Sequence, residues 1–295
     1  MTRSERHNLV TGLLFVSPWI VGFLLFTLYP VGASLFYSFC DYDVLSRPVW
    51  VGTLNFRDLA ADTVFWKALS NTLIYAAFSL PLGLATSLFV AVLLNCDIRG
   101  RSIYRVLYFL PSLVPLVASS MIWLWIFNGK FGLLNYGLSL VGLPGPDWLG
   151  EQTWTKPALI LSSVWGIGNS VVIYLAALQD VPTALYESAE LDGAGFWRKL
   201  WHITIPMISP VIYFNLIMGI IGSLQVFAQP YVMFNGAAGG PNRSVLFYAV
   251  YLYENAFTYN QMGYACAMAW IQFLMILGLT WAATRLTRSH VHYGG

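Results

Sequence analysis

Charged residues are so sparse in this chain that the gaps between them constrain its fold more than any motif does. Lys and Arg contribute 15 and Asp and Glu 13 of the 295 residues. A helix needs about 20 apolar residues to cross about 30 Å of hydrocarbon. Six runs of more than 18 residues carry no charge and are each long enough to do so, namely 7–40, 68–96, 106–129, 157–179, 200–242 and 255–284.

The composition supports a membrane protein and excludes several other classes. Hydrophobic residues make up 58% of the chain and charged residues 9%, against about 25% charged in soluble domains. A net charge of +2 leaves no basic surface for nucleic acid, so no nucleic-acid partner is expected. The three cysteines, Cys40, Cys96 and Cys266, are too far apart for a CxxC motif or a disulfide framework.

The chain 1–295 is therefore predicted to be one all-α membrane domain with both termini in the cytoplasm. Nine basic residues fall in the short predicted cytoplasmic segments, among them Arg99, Arg101, Arg105 and Arg288, and six in the longer external ones. This distribution follows the positive-inside rule. The six transmembrane helices are predicted at about 10–38, 69–95, 105–128, 157–179, 203–228 and 264–285.

The predicted spans contain no deeply placed charge and no enzyme signature. Intramembrane ionisable residues usually mark ion-coupled transport, which is therefore disfavoured. The sequence has no HExxH, GxSxG or phosphate-binding GxxxxGK[ST] pattern. His290 and His292 could ligate a metal, although a frayed tail is the simpler interpretation. No catalytic activity or cofactor of its own is expected for this chain, and if it moves a solute uphill, the energy must come from another subunit.

The predicted cytoplasmic loop 180–202 has the pattern of a helix, a turn and a second helix. Pro182 suits a first helical turn, and 183–191 are good helix formers. Asp192-Gly193 should end that helix, because glycine accepts the left-handed capping conformation. The second segment, 195–202, is amphipathic. By its pattern alone, this segment fits an amphipathic helix lying on the inner leaflet as well as it fits a contact with another subunit.

Residue identities in this loop resemble a known family signature. The spacing Glu187-x-Ala189-x-x-Asp192-Gly193-Ala194, followed by Ile203-x-Ile205-Pro206, closely resembles the EAA loop of permease subunits from bacterial ABC importers. Ser188 and Leu200 depart mildly, where alanine and phenylalanine are usual. Over roughly 10–285, further motifs look like the MalF-type carbohydrate permeases: Leu110-Pro-Ser-Leu-Val-Pro115, Phe131-Gly132-x-x-Asn135, Trp148-Leu149, Trp165, Phe227 and Gly239-Gly240-Pro241.

The resemblance implies the type I ABC importer permease fold, located in the bacterial inner membrane. It implies a second homologous permease, a cytoplasmic ATPase dimer holding ATP and Mg, an extracytoplasmic binding protein and a carbohydrate substrate. The loop would couple to the ATPase, with Glu187 pairing with a basic residue there and Gly193 permitting the turn. Ala189, Asp192 and Ala194 would complete the contact.

The resemblance also suggests cargo contacts near mid-membrane. The candidates are Ser112, Asn169, Ser170, Ser223, Gln225 and Gln229. Each has a structural alternative: Ser112 could satisfy a backbone carbonyl freed by Pro115, and Asn169 or Gln225 could join helices.

Two other classes of function stay open at this point. A stand-alone secondary transporter would predict an inverted repeat and a charged mid-membrane residue. A membrane-embedded enzyme would need a nucleophile or a metal cluster. The sequence shows none of these features.

Overall fold

The computed structural model describes residues 3–97, 99–234, 236 and 239–287. Arg288 of the predicted cytoplasmic set, and the His290 and His292 pair, lie outside the described residues. The described chain is almost entirely helical, with one short strand pair, β1 Cys40–Asp41 and β2 Val49–Trp50.

The helices follow the charge-free runs closely. In the first run, α1 Arg3–Phe23 continues through a π-helical stretch, Leu24–Leu28, into α2 Tyr29–Tyr37. The remaining helices are α3 Leu54–Ala61, α4 Thr63–Asn95, α5 Arg101–Phe109, α6 Leu116–Ile126, α7 Leu133–Leu140, α8 Gln152–Ser163, α9 Gly168–Gln179, α10 Thr183–Leu191, α11 Phe196–Lys199, α12 Ile205–Met207, α13 Ser209–Leu224, α14 Ala228–Met233, α15 Tyr248–Tyr253 and α16 Met262–Thr287.

Within the described residues, four helical stretches are long and apolar enough to cross a membrane: Arg6–Tyr37, Thr63–Asn95, Ser209–Met233 and Met262–Thr287. Two bent pairs would raise this number to six if each pair forms one span. The number of spans and the sidedness of the termini therefore stay predictions.

The interval 105–128, predicted as one span, is two helices that meet at 100°. The reason is a pair of prolines. Val114 is extended (φ −73°, ψ 127°) because the ring of Pro115 disfavours a helical conformation at the residue before it. Pro111 lies in a 3-10 turn, Leu110–Leu113, that closes the first helix. The interval 157–179 bends by 47° beside a second 3-10 turn, Val164–Gly166.

The predicted span 203–228 also requires a correction at its start. The helix that begins at Phe196 runs through a π-helical stretch, Leu200–Thr204, and ends at Met207. Ile208 breaks it (φ −91°, ψ 6°), and the long apolar helix begins at Ser209. Pro210 has no N–H to continue the hydrogen-bond ladder across this position.

The chain divides into two compact units. The first contains the residues up to Asp62 together with Leu252–Gln272. Its centre is the turn around Cys40, where the Asn55 side-chain amide donates to the carbonyls of Ser38 at 3.0 Å and Cys40 at 2.9 Å. Gly263 at the start of α16 lies directly against the Cys40 carbonyl.

The second unit contains Thr63–Tyr251 and the chain from Phe273 onward. It has two hydrophobic cores, and α4 contributes to both. One core surrounds Phe127, Leu159 and Phe247, which are all fully buried. The other joins α4 and α9 through side chains such as Ala91 and Tyr174. This second core supports the 180–207 loop, because Val181 and Ile208 at its two ends are both part of it.

Candidate functional site: the 180–207 loop and a polar cavity

The first arm of the loop is a capped helix, as the sequence predicts. Pro182 precedes α10 in an extended conformation, and Asp192 follows its last residue. Gly193 has φ +74°, and its N–H donates to the Glu190 carbonyl at 3.0 Å. The Ala194 N–H donates to the Ala189 carbonyl at 2.8 Å. These two bonds form a Schellman motif, which favours glycine at the left-handed position.

The second arm is longer than predicted. The sequence predicts a helical segment over 195–202, whereas the helix continues to Met207. It widens to π-helical geometry at Leu200–Thr204. The loop is therefore two helices joined by the 192–195 turn.

Two side-chain contacts join the arms. Lys199 Nζ lies 2.7 Å from Glu190 Oε1. The Tyr186 hydroxyl lies 3.0 Å from Thr204 Oγ1. A helical hairpin closed by a turn, an ion pair and a hydrogen bond can move as one body.

The outer surface of the loop exposes large apolar side chains among its charged ones. Leu191 is 91% exposed and Trp197 68% exposed. Asp192 is exposed, while Ala189 and Ala194 are half-buried under the turn. Glu187 is exposed, and its carboxylate makes no hydrogen bond or ion pair within the part of the chain that the structure describes. Exposed large apolar residues around an unpaired carboxylate have the character of a protein-binding surface.

A cavity of about 460 Å³ lies in the second unit between α4, α9 and α13. Ser79, halfway along α4, is one of its lining residues. The lining contains no Asp, Glu, Lys, Arg or His. Its polar side chains are hydroxyls and one amide: Tyr75, Ser79, Ser163, Ser170, Asn215 and Ser223.

The six predicted cargo residues fall into two groups, those that line the cavity and those that do not. Ser170 and Ser223 line the cavity, whereas the other four are not among its lining residues. The Ser112 hydroxyl donates to the Phe109 carbonyl at 2.6 Å. The buried Gln229 amide donates to Ser162 Oγ at 2.6 Å. Ser112 therefore serves the backbone at the proline break, and Gln229 joins two helices.

The remaining two predicted residues, Asn169 and Gln225, are exposed. Sequence reasoning missed the other four polar residues of the cavity lining, Tyr75, Ser79, Ser163 and Asn215. The sequence contains only a weak indication that these residues lie at a polar site. Tyr75 and Ser79 stand four residues apart, on one helical face, and Asn215 is the one amide side chain within α13.

The motif residues after α6 form a separate hydrogen-bonded cluster. The Trp148 indole N–H donates to Asn135 Oδ1 at 2.7 Å. The Asn135 amide donates to the carbonyls of Gly129 at 2.9 Å and Pro146 at 3.0 Å. A Cβ at Gly132 would overlap the Asn128 carbonyl. These motif residues therefore have a structural reason for their identities, which is to fold the 129–148 segment.

An apolar helical fold with an uncharged cavity and an exposed helical hairpin is that of a membrane transport subunit. Over residues 79–290 the chain matches the family described as "Binding-protein-dependent transport system inner membrane component", and it belongs to that family. Permease subunits of ABC transporters, the class that this family comprises, are ordinarily non-catalytic.

Similar proteins agree with this assignment. The chain is 41% identical to the probable ABC transporter permease protein YesP of Bacillus subtilis, over 99% of this chain and 95% of that protein. It is 34% identical to the lactose transport system permease protein LacF of Rhizobium radiobacter, over 94% and 93% of the two chains. A chain of the crystal structure of a bacterial alginate ABC transporter, in complex with a pentasaccharide-bound periplasmic protein, has the same fold. Its TM-score is 0.81, its identity 24%, and the match covers 97% of this chain and 96% of that one.

Proposed function

We propose that this chain is the transmembrane permease subunit of an ATP-driven importer and forms half of the translocation pathway for a carbohydrate. The proposal rests on one observation: the helical hairpin at 180–207 is exposed, and its two arms are joined by side-chain contacts. A second, homologous permease would supply the other half of the pathway. An extracytoplasmic binding protein would deliver the substrate, a proposal supported by the family's description as part of binding-protein-dependent transport systems.

The proposed topology has six spans, with each bent pair crossing the bacterial inner membrane once and both termini in the cytoplasm. The 180–207 loop is then cytoplasmic, and the segments 40–62 and 129–151 are external. The basic residues agree with this sidedness. Arg198 and Lys199 belong to the loop, beside the lipid headgroups of the inner leaflet.

The loop would dock on one subunit of a cytoplasmic ATPase dimer, which holds the ATP and Mg. Glu187 would pair with a basic residue of the ATPase, and Leu191 and Trp197 would supply apolar contact. Because Glu190–Lys199 and Tyr186–Thr204 join the arms, a pull on the turn would reach α9 and α13 as a rigid-body shift. An ion pair at such an interface mainly fixes its register.

A neutral polyol is the cargo that the cavity suits best. Sugars are bound through hydrogen bonds to hydroxyls and amides, and every polar side chain in the lining is of one of these kinds. A phosphate or carboxylate on the cargo would need a cation, which this lining does not provide. The lactose permease relative has the same class of cargo in its name.

The test is co-expression of the chain with an ATPase, a second permease and a binding protein from the same transport system. Native protein should copurify with the ATPase and show sugar-stimulated ATP hydrolysis. Glu187→Ala should weaken the association about tenfold or more, since it removes one partner of an interfacial charge pair. Ser188→Ala is the matched control, because its hydroxyl bonds only within α10, to the Ala184 carbonyl.

Two outcomes would contradict the proposal. Normal assembly and hydrolysis in Glu187→Ala would make the loop an interfacial helix rather than a coupling element. Sugar uptake by the purified chain alone, without any ATPase, would identify a stand-alone secondary transporter instead.

A further inference from the structure

A second cavity, of about 260 Å³, lies between α5 and α9 and has no part in the function proposed above. One cation and one amide, Arg105 and Gln179, are its polar side chains. The rest of its lining is glycine and apolar residues, including Phe109, Val172 and Leu175. The cavity therefore combines a single positive charge with a hydrocarbon-like wall.

The two helices are held in close contact at one end of this cavity. A Cβ at Gly168, the first residue of α9, would lie 2.7 Å from the Tyr108 carbonyl oxygen and 3.0 Å from the Ser112 hydroxyl. Beyond this contact the helices separate enough to leave the cavity. This close approach places α5, which carries Arg105, directly against α9.

The guanidinium of Arg105 is incompletely satisfied. Its Nε and Nη2 atoms are buried and have no hydrogen-bond partner among the described residues. No described carboxylate lies within ion-pair distance of it, whereas the preceding arginine of the same helix, Arg101, pairs with Asp97 at 3.8 Å. Buried N–H donors are costly when they are left without an acceptor, and the fork of guanidinium N–H groups matches the oxygens of a phosphate.

The surroundings of the cavity indicate where that anion comes from. On α5, the apolar residues Ile103, Val106 and Leu107 are all more than half exposed. On a membrane helix, lipid is the ordinary contact of such a face wherever no other protein covers it. The cavity also opens along α9, where Val172 and Gln179 are exposed. A molecule that brings an anionic group to Arg105 and lays a hydrocarbon chain along Val172 satisfies both surfaces.

We propose that this cavity binds an anionic phospholipid, with its phosphate on Arg105 and Gln179 and an acyl chain against Phe109, Val172 and Leu175. Basic pockets between membrane helices near the cytoplasmic surface bind such head groups. The choice of a lipid as the source of the phosphate rests on the membrane placement in the proposed function.

The test uses the full-length chain, purified in a neutral detergent and freed of lipid. Phosphatidylglycerol, phosphatidylcholine or inorganic phosphate is added separately, and Tm and bound phosphorus are measured. Phosphatidylglycerol should raise Tm by about 2–4 °C and remain bound, and the other two should have little effect. Arg105→Gln should lose this shift. Arg101→Gln, one turn away and already paired, should retain it.

Several results would overturn the proposal. An equal shift with inorganic phosphate would indicate a free-anion site, and an equal shift with phosphatidylcholine would exclude charge selection. An equal loss in Arg101→Gln would indicate only general attraction to a basic surface.

If Arg105→Gln does not fold, Val172→Trp fills the cavity and keeps the guanidinium. Retention of the lipid shift in that variant would also contradict the proposal. Because no ATPase is present, this outcome is independent of the coupling experiment.

Discussion

At the scale of single residues, Asn71 shows how one buried amide can fix a whole loop. Its side-chain N–H groups donate to the carbonyls of Arg243 at 2.8 Å and Leu246 at 3.0 Å. The loop needs this support because Asn242 and Arg243 both have positive φ, +50° and +54°, without being glycine. Each such residue costs roughly 1–2 kcal/mol of backbone strain.

Asn71→Ala should therefore lower the free energy of unfolding by about 1–3 kcal/mol, because two loop carbonyls lose their donors. Thermal unfolding of the purified chain measures this. Asn169→Ala is the matched control, since Asn169 is exposed and an exposed substitution usually changes stability by less than about 0.5 kcal/mol. Equal effects of the two variants would mean that the loop does not depend on Asn71.

At the scale of helices, the packing of α16 depends on a glycine at its first turn. Its first turn contains Gly263, where a Cβ would overlap the carbonyl oxygen of Cys40. The Gly263 N–H also donates to the Tyr42 carbonyl at 3.0 Å. Gly278 lies in the same helix and has open space at its Cβ position.

Gly263→Ala should thus destabilise the chain by about 1–3 kcal/mol, the usual cost of overpacking, because the atom it meets belongs to the backbone. Gly278→Ala should leave stability unchanged or raise it by up to about 1 kcal/mol, because alanine is the better helix former and its Cβ meets open space. Thermal unfolding of both variants distinguishes the two positions. A similar loss in each would indicate a general effect of alanine in α16 rather than a close backbone contact.

Local features of the helices could be predicted from the sequence, and long-range ones could not. The stop of α10 at Asp192-Gly193 was predicted correctly, because a helix cap depends on neighbouring residues only. Of the six predicted cargo residues, two, Ser170 and Ser223, line the cavity, and their contact with cargo stays a prediction. Ser79 and Asn215 are far apart in the chain, and nothing in either helix alone indicates that they face one another.

The broken helices show the same limit. Pro111 and Pro115 were recognised in the sequence, yet the 100° angle between the two halves depends on how each half packs. The charge pattern predicts a span that starts at 203, whereas the long helix begins at Ser209, because charge spacing does not register the break at Ile208. Charge spacing locates apolar helices, and packing determines where they bend.

At the scale of the whole molecule, coupling requires that the turn of the 180–207 loop meets an ATPase on the cytoplasmic side. Leu191, at that turn, is 91% exposed, and Leu45, in a predicted external segment, is 88% exposed. The two leucines are therefore a matched pair for cysteine substitution. Cys96 is exposed and must first be replaced by serine, while Cys40 and Cys266 are buried.

The most direct measurement is disulfide or bifunctional cross-linking to the ATPase in intact membranes of cells that express the full transporter. If the 180–207 loop couples to the ATPase, Leu191→Cys should cross-link to that subunit, and ATP hydrolysis should be lost on cross-linking. Leu45→Cys should instead react with a membrane-impermeant thiol reagent from outside the cell and give no cross-link. Cross-linking from Leu45→Cys, or labelling of Leu191→Cys from outside, would contradict both the topology and the coupling role.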